Sequence, residues 1–494
     1  MGVKRPKLTR AMTLTTAAFV GTCSLVGGLG VLPATASAPT TLPITSDAVP
    51  VSQQAAQPAT VDVSGVETGT TYDQFIVTYK DSARTATKQS RVQSLAPAAQ
   101  DAGVGMKELR ATATGAHVVK ADAKMTAKAA KQFMVDAART GTISSIEPDV
   151  RMTLSALTPN DSRYGEQWDF TGSTGMRTPS AWNYSTGSGS VVAVLDTGIT
   201  SHSDLNANVL PGYDFVSDST AARDGNGRDA NAADQGDWSA AGECGSSQAS
   251  NSSWHGTHVA GTIAAVTGNG KGVAGVAPNA KVVPVRVLAK CGGMLSDIAD
   301  AIVWASGGTV PGIPANPNPA DAINMSLGGG GACGTTYQNA INSAVSRGTS
   351  VVVAAGNEQQ NASNSRPANC NNVIAVAASD KSGGMSWYSN YGSLVDVTAP
   401  GGDTSTTGGG ILSTLNSGRT TPGAEAYAEY QGTSMATPHV AGVVALMRSQ
   451  NPSMSPSAVE SALKSGTRAL PGGCSLGCGA GLVDAGKVLA NVGG

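Results

Sequence analysis

The chain has 494 residues, of which 62 are Gly, 40% are apolar and only 13% are Asp, Glu, Lys or Arg. That composition excludes a charge-rich disordered protein and a coiled coil, and Gly without a three-residue period excludes collagen. The net charge of −2 hides an asymmetry, since residues 1–155 carry 16 Lys and Arg against 11 Asp and Glu while residues 156–494 carry 16 against 23. Halves of opposite sign invite docking, and the lack of any basic run interleaved with aromatics argues against a nucleic-acid partner.

Residues 1–36 read as a secretory signal peptide: Lys4, Arg5, Lys7 and Arg10 precede an uncharged span from Ala11 to Leu32 and the small-residue stretch Ala34 to Ala38. The span is diluted by Thr and Gly and ends in an A-x-A site, so export rather than a membrane anchor is expected, with no membrane attachment after removal. Residues 37–69, rich in Ala, Pro, Thr and Ser, read as a linker. From 70 to 155 a small α+β domain is expected, with a strand over Gln74 to Lys80, helical turns through the eighties and nineties, a helix over Thr126 to Arg139, and extended segments at Lys107 to Ala111, Ala116 to Lys120 and Thr142 to Arg151. That order is the β-α-β-β-α-β pattern of ferredoxin-like domains.

Beyond residue 158 short apolar runs alternate with helical patterns. Runs at 191–195, 281–288, 322–326, 350–355 and 372–377 predict strands, and 258–266, 296–306, 335–347, 434–449 and 455–465 predict helices. Continuous apolar strands separated by helices imply an α/β, doubly wound, mostly parallel sheet with helices on both faces, whose chemistry sits beyond the carboxyl ends of the strands.

Three polar residues fall where that rule points. Asp196 ends the strand VVAVLD, His255 opens HGTHVAGTIAAV, and Ser434 begins a helix behind Gly432. An oxygen nucleophile, a base of near-neutral pKa and a carboxylate to hold the imidazole tautomer are the parts of an acyl-transfer site. Rival motifs fail. The G-x-S-x-G at 473–477 has no His after it, the G-x-G-x-x-G at 270–275 lies between a helix and a strand in the wrong order, the one at 329–334 lacks an acid at the needed distance, and HGTH lacks the Glu of a zinc peptidase.

The blocks VLDTGI (194–199), HGTHVAGTIA (255–264), AAGN (354–357) and GTSMATPHVAG (432–442) resemble the signature segments of the subtilisin-like serine peptidases, in that family's Asp, His, Ser order. The resemblance spans 158–494. It implies a triad of Asp196, His255 and Ser434, with Asn357 as oxyanion donor and His258 and His439 as structural histidines. It also implies that Ser326, Leu327 and Gly328 pair with an extended substrate, while Ala354, Ala355 and Gly356 line the first specificity pocket. With no charged residue evident in those walls, an apolar or bulky preference is expected. Residues 70–155 resemble the inhibitory pro-domain of the family, implying an intramolecular inhibitor removed by self-cleavage between about 155 and 160, with no further domain after the catalytic one.

Without Cys23, which goes with the signal, six cysteines remain, and sequence allows 15 pairings of Cys244, Cys291, Cys333, Cys370, Cys474 and Cys478. The resemblance implies the nearest-neighbour scheme 244–291, 333–370, 474–478. Residues 204–243 concentrate acids that a hard cation such as Ca²⁺ would neutralise outside the cell. By resemblance one calcium site draws on Asp161, Asp204, Asn269 and the carbonyls of Val266 and Val273, and a second is expected on Asp224, Asp229 and Asp237. No organic cofactor is expected. The sequence thus predicts a secreted, monomeric serine endopeptidase acting on proteins or peptides, against the alternative of a non-catalytic secreted calcium-binding protein on the same scaffold.

Overall fold

The computed structural model describes residues 59–63, 66, 71–150 and 157–492. The predicted signal segment and most of the predicted linker lie outside them, as do residues 151–156 in the expected cleavage region. The chain divides into two compact units at Val150/Arg151.

In the first unit a sheet is built from Thr60–Val61, Ile143–Pro148, Thr71–Tyr79, His117–Thr126 and Met106–Ala111, in that spatial order. Alternation along Thr71–Tyr79 turns Phe75, Val77 and Tyr79 inward onto the helix Ala127–Arg139, where the Phe75 and Phe133 rings lie 4.9 Å apart. Thr126 caps that helix by accepting the Ala129 N–H. One expectation is corrected: Thr60–Val61, assigned to the linker, pairs in parallel with Ile143–Pro148 as an edge strand.

The second unit is organised by a sheet whose described strands run Thr467–Arg468, Leu482–Val483, Val397–Pro400, Ile374–Ser379, Ser350–Ala354, Ala322–Met325, Val191–Asp196, Lys281–Arg286 and Tyr213–Asp214, all parallel except the first pair. Successive side chains of the strand Val191–Asp196 feed opposite cores. Val192 and Val194 pack with the helices His255–Ala264 and Thr433–Gln450, while Ala193 and Leu195 pack with Leu295–Ala305 and Gly334–Ser346. The chain steps to one side of Val191–Asp196 and then the other, so the strand order reverses there and opens a crevice at its carboxyl end.

The five predicted strands and five predicted helices of this unit are present. Val397–Pro400 and the antiparallel hairpin Ile411–Asn416/Glu425–Tyr430 were not predicted. The first is four residues ending in Pro, and the second breaks its apolar residues with Ser, Thr and Asn in one strand and with Glu in the other, so neither carries the apolar run that marks a buried parallel strand. Disulfides join Cys244–Cys291, Cys333–Cys370 and Cys474–Cys478.

Candidate active site

Asp196 sits fully buried at the crevice, where one carboxylate oxygen accepts the Thr197 N–H at 2.8 Å. The helix His255–Ala264 is pressed against this strand end because residue 256 is Gly: a Cβ there would stand 2.2 Å from the Gly198 carbonyl. That contact delivers the His255 imidazole to the carboxylate, its Nδ1–H donating at 2.8 and 2.9 Å to the two Asp196 oxygens. The Thr197 hydroxyl braces the junction, accepting the Gly256 N–H at 3.0 Å and donating to Asp234 at 2.6 Å. Burial opposes a charge on His255, but the Asp196 charge and hydrogen bond, with Asp237 and Asp234 beyond, outweigh it and hold the imidazole above its ordinary value.

Three residues along the same helix, His258 has the reverse environment. It stacks on Tyr430 at 4.6 Å and its Nε2–H points at the carbonyls of Ile411 and Ala428, so burial pushes it down to about 3. It is a neutral packing group. His439 is likewise structural, bridging the Met435 carbonyl and the buried Asp169 carboxylate. His202 bonds the Ala426 carbonyl, and His117 lies in the first unit beside Glu108.

Ser434 opens the helix Thr433–Gln450 behind Gly432, whose φ of 151° suits glycine. Its hydroxyl donates to the Ser326 carbonyl at 3.2 Å, and it faces the same cleft as His255. Pro438 lies four residues on and has no N–H, so the Ser434 carbonyl is released from its helical bond and accepts the Ser326 hydroxyl at 2.7 Å. Ser434 and Ser326 are thereby fastened to each other. The N–H and hydroxyl of Thr433 both donate to Asn357 Oδ1, at 2.9 and 3.0 Å, which fixes the orientation of the amide and leaves Nδ2 as its donor end. Asn357 and Ser434 line one pocket at this helix N-terminus, where the helix dipole favours negative charge.

The cleft, about 600 Å³, is lined by His255, Ser434, Ser326, Leu327, Gly328, Leu295 and Asp237 among others. A narrower pocket of about 70 Å³ opens from it between Leu327, Gly328, Ala354, Gly356 and Asn357. Ala355 is not part of that wall: it is fully buried, facing Ala362, Ala377 and Val395 on the far side of its strand. The expectation of uncharged walls also fails, since Glu358 and Arg366 line the pocket. A larger groove of about 970 Å³ in the first unit is lined by Val92, Ala99 and Met106 and brings no nucleophile to a base.

Among the described residues no group of three or more His, Cys, Asp or Glu side chains could hold a metal. The first expected calcium set is nevertheless gathered in one corner. Asp204 accepts from Asn269 Nδ2 (2.6 Å), the Val273 N–H (3.0 Å) and the Tyr427 hydroxyl (3.2 Å), its carbonyl accepts the Val266 N–H, and Asp161 accepts from Gly268 and Asn269 N–H groups. Burial lifts the Asp204 carboxyl above its usual range. The second set is not brought together. Asp224 pairs with Arg286 at 3.1 Å, Asp229 is bonded by Asn226 and Asn231, and Asp237 lies in the cleft on Ser253. Arg286 and Lys290, outside the acidic loop, pair with its Asp214, Asp224 and Glu243 and so neutralise part of what a second metal was expected to.

A buried carboxylate on an imidazole, a helix-terminal serine and an amide donor around one cleft define a hydrolase site of the acyl-transfer kind. The subtilase family (peptidase S8) matches residues 187–481. The chain is 56% identical over 436 residues, 86% of its length and 74% of the relative's, to an extracellular protease of Xanthomonas campestris pv. campestris, and 43% identical to an extracellular basic protease of Dichelobacter nodosus, covering 83% of this chain and 69% of that one. Among solved structures, a protease of Pseudoalteromonas arctica superposes with a TM-score of 0.67 at 59% identity, covering 68% of this chain and all of that one. The chain belongs to the subtilase family and is a serine endopeptidase. No helix among the described residues is long and apolar enough to cross a membrane.

Proposed function

We propose that the protein is a secreted endopeptidase made as a zymogen, with residues 1–36 as export signal, 70–155 as inhibitory pro-segment and 158–494 as catalytic domain. The observation that carries the mechanism is the buried Asp196 clamping His255 Nδ1 in the cleft that Ser434 faces. Asp196 fixes the tautomer, leaving Nε2 as base. The Ser434 hydroxyl swings from the Ser326 carbonyl to His255, surrenders its proton and attacks the peptide carbonyl. Asn357 Nδ2 and the Ser434 N–H receive the oxyanion. His255 then protonates the departing amine, and water, deprotonated by the same imidazole, releases the acyl group. Leu327 and Gly328 hold the substrate backbone as an added strand while Ala354 and Gly356 flank the pocket. Export is supported by the amino-terminal pattern and by relatives named as extracellular proteases, and pro-segment docking by the opposite charges of the two halves.

The hard-oxygen donor set of Asp161, Asp204, Asn269 and the carbonyls of Val266 and Val273 fits a structural Ca²⁺, which would supply charge to a buried carboxylate and hold the loop. Expressing Ser434→Ala beside wild type tests the proposal. The variant remains at precursor length and casein hydrolysis falls by roughly 10⁶. Equal maturation and equal hydrolysis would overturn it.

A further inference from the structure

Three acids in the loop before His255 are ion-paired, Asp214 and Asp224 with Arg286 and Glu243 with Lys290. Asp237 is different. Its oxygens accept the N–H and hydroxyl of Ser253 at 2.6 and 2.8 Å, which aims the carboxylate but leaves lone pairs on both oxygens. Among the described residues no Lys or Arg forms an ion pair with it. Arg223, the near cation, spends its guanidinium on the carbonyls of Gly236 and Trp238 and lies 3.9 Å above the Trp238 ring. Asp237 is part-exposed and lines the cleft together with His255 and Leu288. It also lines an adjoining recess of about 510 Å³ bounded by Ser239, Gln248 and Ser250. The wall is rigid, because Ser239 and Ser250 pair across the loop and Cys244–Cys291 ties it to the cleft edge.

Resting on the peptidase reading, we infer that Asp237, Leu288 and the adjoining recess form a subsite for a Lys or Arg side chain of the substrate. The side chains of an extended peptide alternate, so a residue seated between Gly328 and Gly356 turns its neighbour toward the opposite wall, where His255 and Asp237 stand. Leu288 covers the methylene stem and the carboxylate meets the charged head.

Two peptides that differ only in Lys or norleucine at that neighbouring position test the inference, each cleaved by mature wild-type enzyme and by Asp237→Asn. The readout is the Lys-to-norleucine ratio of kcat/KM within each enzyme, so a general loss of activity cancels. Wild type prefers Lys by about tenfold or more, and the ratio falls toward one in Asp237→Asn. Raising the salt concentration shrinks the wild-type ratio, which decides the matter even if the variant fails to fold. A wild-type ratio near one, or a ratio unchanged by salt and by the substitution, overturns the subsite alone. Cleavage of neither peptide overturns the peptidase reading with it.

Discussion

Asp196 and Asp204 are both fully buried carboxylates in the second unit, eight residues apart in sequence, and they do opposite things. Asp196 faces an imidazole that can take up a proton, so its charge is matched whenever His255 is protonated. Asp204 faces an amide, a backbone N–H and a phenol, neutral donors that orient it without cancelling its charge. The first arrangement is the one proposed to move protons, and the second the one proposed to hold a cation. What lies opposite a buried acid, rather than its burial, decides its use.

Exchanging the charge at each corner should therefore damage different properties. Asp196→Asn is expected to cost about 10⁴ in kcat because it presents the wrong tautomer, with the thermal midpoint little changed; loss of folding instead of turnover, followed by calorimetry, would erase the contrast. Asn357→Gly removes one oxyanion donor and should lower kcat by about 10²–10³ with KM nearly constant, measured on a chromogenic peptide. At the other corner a chelator should lower the midpoint by about 5–8 °C, with turnover at low temperature retained. In Asp204→Asn the chelator should have no effect, and an equal response in both proteins would sink the calcium assignment.

The smallest effect concerns pH. Activity needs neutral His255, whose folded value is raised by Asp196, so kcat/KM should climb with pH through a midpoint above the ordinary imidazole value of about 6.5. The stabilising Asp196–His255 ion pair is fully present below the unfolded imidazole value and disappears as pH rises through the folded one. A midpoint at or below the ordinary value would contradict the geometry.

The difference between the corners also marks what sequence can reveal. Asp196 drew notice because it ends a strand of a parallel sheet and Ser434 because a glycine precedes a helix start, but such addresses are common, and only the resemblance to the family's motifs implied their roles. Ala355 was misplaced on the pocket wall because a strand's alternation sends it to the other face from Ala354. Asp237 was grouped with Asp224 and Asp229 because nearness in a loop says nothing about direction. The partners that separated them, Arg286 on a strand and Ser253 before the helix, lie 62 and 16 residues away. Glu358 and Arg366 escaped notice for the same reason, since their place on the pocket depends on folding rather than on a motif.

The bond between the Ser434 carbonyl and the Ser326 hydroxyl has a practical consequence for anyone remodelling this enzyme. Pro438, inside a long helix, is the position that propensity scales would nominate first for replacement by alanine. Such a change would restore a helical donor that competes for the carbonyl now bonded to the Ser326 hydroxyl. A gain in heat tolerance there would come with slacker alignment of the scissile bond, so a stabilisation campaign should leave this proline in place.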